Sequence, residues 1–184
     1  LQLFPDWFVS RVKGRELSAS ELEDWDALSR LLLSSILGEN RVFVHRDYMP
    51  RNLMTGPEDP GVLDFQDALY GPVSYDVTSL FADAFFSLPL LSREAWLQRY
   101  WQRAWDAGIG VPDDFASFLD QSRLMGVQRH LKVLGIFARI CHRDGKPHYL
   151  ADAPRFVTYL HEACSRDARL APLQRLLDSL EMHP

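Results

Sequence analysis

Apolar residues along this chain keep two different periods, and the change of period divides it. Leu22, Trp25, Leu28, Leu32 and Ile36 recur at helical spacing until Gly38. Ser18-Ala19-Ser20-Glu21 and Ser20-Glu21-Leu22-Glu23 both fit the pattern in which a hydroxyl and a carboxylate cap the first amides of a helix. Arg41-Val42-Phe43-Val44 then reads as a short strand and Asn52-Leu53-Met54 as a second. The turn-rich run Thr55–Gly61 leads to a third at Val62–Phe65.

Helical periodicity returns after this hairpin region. Asp76 is placed to cap a helix running through Phe81 to about Phe86, and Ser92 opens another that Gly108 stops. Long helices are predicted over 114–140, from Pro154 to about Ser165, and over 172–182. The aromatic stripe Trp96, Tyr100 and Trp101 reads as core packing rather than a platform for stacking sugars, and Trp7, Trp25 and Trp105 likewise as packing anchors. The fold class expected is α+β, mostly α: helices packed around a small β-hairpin region, in one domain over residues 1–184.

The hairpin region carries the chemistry. His45-Arg46-Asp47-Tyr48-Met49-Pro50-Arg51-Asn52 is followed by Asp64 in Val62-Leu63-Asp64-Phe65. Phosphoryl transfer needs one group to receive the acceptor hydroxyl proton and oxygen ligands to hold magnesium on the nucleotide phosphates. Asp47, Asn52 and Asp64 have the residue types and the order for those tasks. A strand-loop-strand-turn-strand unit of this length can bring Asp64 back beside Asn52, with Asp47 at the loop apex. Taken singly, a loop Asp is a common turn former, and a His beside a strand is commonly structural. The pattern H-x-D-x-x-x-x-N with a later apolar-Asp-aromatic step is what points to chemistry.

These motifs resemble the carboxy-terminal lobe of the aminoglycoside phosphotransferase and choline kinase superfamily, whose lobes resemble those of protein kinases. The resemblance implies Asp47 as the catalytic carboxylate and Asn52 and Asp64 as magnesium ligands, with ATP as phosphoryl donor. It places the family's helix-opening Asp on Asp76, after Gly71-Pro72-Val73-Ser74-Tyr75. His45 and Asp76 are then expected to fix the catalytic loop by hydrogen bonds. Arg46 pairs with carboxylates or faces phosphate, as does Arg51, and Asp67 supports the site or faces the acceptor. The stretches 63–81 and 125–150 are similar to bacterial anomeric kinases of N-acetylmuramate and N-acetylglucosamine, which act in cell-wall recycling. An aminoglycoside or choline-type acceptor is the alternative within the class. A non-catalytic module of the same fold is the alternative outside it. A metal-dependent hydrolase using His45, Asp47 and Asp64 lacks a second His at ligand spacing.

The chain departs from a complete superfamily member. Its three lysines, Lys13, Lys132 and Lys146, sit in no strand-like V-A-I-K context, and its ten glycines form no G-x-G-x-x-G. The expectation is therefore a carboxy-terminal lobe without its amino-terminal nucleotide lobe, which would be its partner and without which catalysis is negligible.

Composition narrows the partners. A chain of 184 residues with 47% apolar content can bury a full core. A net charge of −5 argues against nucleic acid as a partner. There is no apolar run long enough to span a membrane and no signal-peptide layout. The two cysteines, Cys141 and Cys164, form no disulfide or metal framework, so a cytoplasmic setting is expected. Between Arg123 and Lys146 lie six basic residues against one acid, Asp144. If that segment borders the acceptor pocket, as the resemblance implies, it favours a neutral or anionic sugar over a polycation. Arg129 and His130 are the substrate-binding candidates, since an Arg can grip a lactyl carboxylate through two hydrogen bonds.

Overall fold

The computed structural model describes residues 1–57, 60–82 and 88–183. The chain forms two compact units, one of residues 1–34 and 127–184 and the other of residues 35–126. The first unit is mostly helical, and the second combines helices with two short strand pairs.

The first unit opens with a π-helical segment, Phe4–Val12, closed by the bond from the Lys13 N–H to the Phe8 carbonyl. This element was not among those expected from the sequence. Its Phe4 and Phe8 rings stack on each other, and Phe4 stacks on Trp25 at 5.6 Å between centroids. Trp25 belongs to α1 (Ala19–Leu37), whose buried residues are Glu21, Trp25, Leu28 and Leu32. The cap forms at Ser18, as one of the two patterns predicts: the Ser18 N–H donates to Glu21 Oε2, and Ser18 Oγ accepts from the Glu21 N–H.

Leu22, expected on the apolar face, is instead half exposed. Glu21 takes the inward position because Arg15 grips its carboxylate with two bonds, at 2.6 and 2.8 Å, and the Ser179 hydroxyl donates to it as well. These donors hold the Glu21 carboxyl well below the usual carboxylate range, the Arg15 bonds most strongly. The same unit holds α5 (Ala153–Arg166), which begins at a proline in the first turn, and α6 (Ala171–Ser179).

In the second unit β1 (Arg41–Val44) pairs antiparallel with β4 (Leu69–Pro72), in register Arg41↔Pro72 to Val44↔Leu69. β2 (Leu53–Met54) pairs with β3 (Gly61–Val62). The strand expected over Val62–Phe65 therefore ends early, and Asn52 lies in a 3-10 turn, Pro50–Asn52, rather than in β2. Asp64 explains the first difference: its φ of +67° is incompatible with a strand. β4 was not foreseen because its Gly71-Pro72 reads as a turn.

α2 (Tyr75–Phe81) and α3 (Leu90–Asp106) follow; the continuation of α2 expected toward Phe86 lies outside the described residues. Val73, Val77, Leu97, Ala104, Val111 and Phe118 form the core of this unit, with Tyr100 and Trp101 packed against it. The packing role expected of the stripe holds for those two rings, and the Trp101 indole N–H donates to the Pro112 carbonyl. Trp96 is different. It is half exposed, stacked on Phe81 and lying beneath the Arg99 guanidinium at 5.2 Å. Trp105, another expected anchor, is exposed to a similar degree. α4 (Phe115–Asp144) contributes residues to both units and runs one turn past its predicted end. No helix among the described residues is long and apolar enough to cross a membrane.

Candidate active site

β1 delivers the chain to the site. It is apolar enough to be anchored at Val44, which is 2% exposed, and His45 beyond it is buried as well. There the main chain turns sharply. Arg46 adopts φ +76°, a left-handed conformation that costs a non-glycine residue roughly 1–2 kcal/mol.

Asp76 holds that turn. In the first turn of α2, its carboxylate accepts the His45 N–H at 2.6 Å and the Arg46 N–H at 3.0 Å. Of the two roles expected of Asp76, the hydrogen bonds that fix the loop form, whereas its own helix end carries no side-chain cap. Arg46 adds a second tether, its guanidinium donating to the Asp67 main-chain carbonyl at 3.2 Å; the sequence had suggested carboxylate or phosphate as its partner. The His45 ring nitrogens make no hydrogen bond among the described residues, and packing, including an edge contact with Tyr48 at 5.9 Å, holds the ring.

Asn52 links the Asp47 main chain to the Asp64 side chain. The 3-10 turn closes with the Asn52 N–H on the Met49 carbonyl, and Asn52 Nδ2 then reaches back to the Asp47 carbonyl at 2.9 Å. The same nitrogen stands 3.4 Å from Asp64 Oδ2. The β2–β3 pairing makes this meeting possible. It is extended by the Leu63 N–H on the Asn52 carbonyl, so residues twelve apart in sequence become neighbours. Asp64 then leaves the strand through its left-handed φ and meets Gln66, whose Nε2 donates to Asp64 Oδ1 at 2.6 Å.

This donor set suits a hard divalent cation. Its ligating atoms would be the Asp64 carboxylate and the Asn52 side-chain oxygen, the Asn52 nitrogen being the donor to Asp47. Among the described residues no group of three His, Cys, Asp or Glu side chains has the arrangement of a complete metal cage. A cation held here would therefore draw its remaining ligands from phosphate and water.

Two further carboxylate contacts near the site escaped the sequence reading. Glu39, immediately before β1, is buried, and its Oε2 accepts the Ser74 N–H at the start of α2 at 3.1 Å. Burial pushes its carboxyl above the usual range, and the Ser74 bonds offset only part of that. Gln66 is the other; the available signal was an amide two residues beyond an Asp at a strand end. Asp67 sits one residue further along the same loop and is exposed.

The two substrate-binding candidates lie in the other unit, on α4. His130 is buried, its ring stacked on Tyr159 at 4.9 Å and tilted against Phe156 at 5.5 Å. Arg129 is half-buried. Two of the basic residues counted around them are engaged locally, Arg123 with Asp120 and Arg143 with Asp144.

The model of the APH phosphotransferase enzyme family matches residues 1–110, and the chain belongs to that family. It is 60% identical over 180 residues to a Pseudomonas aeruginosa protein named N-acetylmuramate/N-acetylglucosamine kinase, covering 98% of this chain and 53% of that protein. A protein of the same name from Pseudomonas putida is 55% identical over 181 residues, again 98% of this chain and 53% of the relative. The Neisseria meningitidis protein of that name is 48% identical over 186 residues, or 98% and 54% of the two chains. The chain thus spans about half the length of the curated relatives it matches.

Proposed function

We propose that this chain is the catalytic and substrate lobe of an ATP-dependent sugar kinase that phosphorylates the anomeric hydroxyl of N-acetylmuramate or N-acetylglucosamine. The observation that supports this reading is the Asn52 amide, which ties the Asp47 main chain to the Asp64 carboxylate. The names of relatives at 48–60% identity support the acceptor. A complete kinase needs a nucleotide-covering lobe in addition, and residues 1–184 together would act with it.

In this reading Asp47 orients the sugar hydroxyl toward the γ-phosphorus and receives its proton as the new O–P bond forms and the bond to ADP breaks. A carboxylate is a weak base near neutral pH, so alignment and late proton transfer supply most of its effect. Magnesium bound by Asn52 and Asp64 would neutralise charge on the phosphates. Arg46 acts through its main chain, which Asp76 holds.

The experiment is a phosphorylation assay of the protein at its full natural length with N-acetylmuramate, N-acetylglucosamine, kanamycin and choline. Turnover of the two amino sugars is expected, lowered by at least about a hundredfold in Asp47→Asn. Selective turnover of kanamycin or choline would reject the acceptor assignment, and an unaltered Asp47→Asn rate would reject the base.

A further inference from the structure

Asp64 is held from both sides. Gln66 Nε2 donates to its Oδ1 at 2.6 Å, and Asn52 Nδ2 stands 3.4 Å from its Oδ2. The torsion that sets a carboxylate plane is soft and two-fold, so covalent geometry alone leaves Asp64 free to turn. Its main chain, at φ +67°, lies outside the strand ladder and gives no further support. The Gln66 contact is the shorter of the two and fixes the plane. A carboxylate has about four lone-pair positions, so accepting these bonds leaves capacity for a cation. The amide also adds no charge, whereas a second carboxylate at that distance would repel the first.

We infer that Gln66 is a positioning residue for metal binding: its side-chain amide orients the Asp64 carboxylate so that its remaining lone pairs meet those of the Asn52 oxygen. This rests on the assignment of Asp64 as a magnesium ligand in the proposed function. Gln66 touches neither phosphate nor sugar in this role; it acts through Asp64.

The test uses the protein at its full natural length with ADP and Mn²⁺ as the probe, the free ion being followed by its EPR signal. Gln66→Met keeps the length of the side chain and removes the donor, and Gln66→Ala removes both. Each is expected to weaken Mn²⁺ binding by about tenfold or more, as loss of one hydrogen bond to a charged group implies. The magnesium concentration for half-maximal turnover should rise in parallel, while melting temperature and sugar KM stay at wild-type values. A merely structural role would move the melting temperature and leave the metal titration alone. Wild-type Mn²⁺ affinity in Gln66→Met overturns the inference. Asp64→Ala separates the two levels. If it abolishes Mn²⁺ binding while Gln66→Met does not weaken it, only the role of Gln66 falls. If Asp64→Ala itself binds Mn²⁺ normally, the metal assignment falls with it.

Discussion

Asp76 accepts the successive main-chain N–H groups of His45 and Arg46 on its two carboxylate oxygens, at 2.6 and 3.0 Å. One side chain on a helix thereby fixes the peptide geometry of a loop some thirty residues earlier in the sequence. The loop needs that hold, because Arg46 sits in a left-handed conformation that a free chain would relax.

Removing the hold has a directional outcome. Asp76→Ala should cost roughly 1.5–3 kcal/mol of stability, the range for a hydrogen bond to a charged group. Turnover should fall more steeply than sugar affinity, since in the proposed function the loop carries the base Asp47. Denaturant unfolding and steady-state kinetics on the full-length protein measure the two effects; a variant with normal turnover would show the loop to be held by other means.

The proposed function gives Asn52 two tasks that substitution can separate. Asn52→Asp retains an oxygen ligand but loses the donor to the Asp47 carbonyl and sets a second carboxylate against Asp64, now 3.4 Å away. Its turnover should drop sharply, and added magnesium should not restore it. Asp64→Asn, which keeps the shape of the site, should instead show a raised magnesium requirement with partial recovery at high concentration. Identical magnesium titrations for both variants would contradict the division of roles.

Glu39 makes stability depend on pH in a calculable direction. Burial raises its carboxyl above its ordinary value of 4.5, so the folded state holds the proton more tightly than the unfolded chain. That contribution is fully present below about 4.5 and is lost as pH rises through the higher folded value. Glu39→Gln keeps a neutral acceptor for the Ser74 N–H and cannot ionise. The variant should therefore lose less stability than the wild type between pH 4.5 and neutrality, read as the difference in urea midpoint across that window. A wild-type and variant pair with parallel pH curves would refute this.

Gly135 marks a close approach of two main chains. A Cβ built there would lie 2.4 Å from the Leu3 carbonyl oxygen, and main chain yields far less than a side-chain tip. Gly135→Ala should cost about 1–3 kcal/mol, visible as a lowered melting temperature, by displacing the segment that leads into Phe4 and Phe8. An unchanged melting temperature would mean that this segment moves freely.

Much of this arrangement was legible in the residues themselves. The β1 strand, the capped start of α1, the proline-opened α5 and the gathering of Asp47, Asn52 and Asp64 within one hairpin region all follow from periodicity and spacing. What escaped depended on contacts that no local pattern carries. Glu21 faces inward and Leu22 outward because Arg15 and Ser179 come from elsewhere in the chain to meet the carboxylate. β4 hid behind a Gly-Pro pair that normally signals a turn, yet its proline sits at the strand end opposite Arg41, where it interrupts little. Val62–Phe65 looked like a continuous strand because its composition is apolar, and a single left-handed residue cuts it short. Asp76 was expected both to cap its helix and to fix the loop by hydrogen bonds; the loop amides take both oxygens, so the second role forms and the cap does not.

The two-rung ladder between Leu53-Met54 and Gly61-Val62 also separates function from length. The rungs, and not the number of residues between them, set the distance from Asn52 to Asp64. Extra residues between the rungs would cost only slowly growing closure entropy. A reporter tag or fluorophore inserted between them would therefore leave Asn52 and Asp64 side by side.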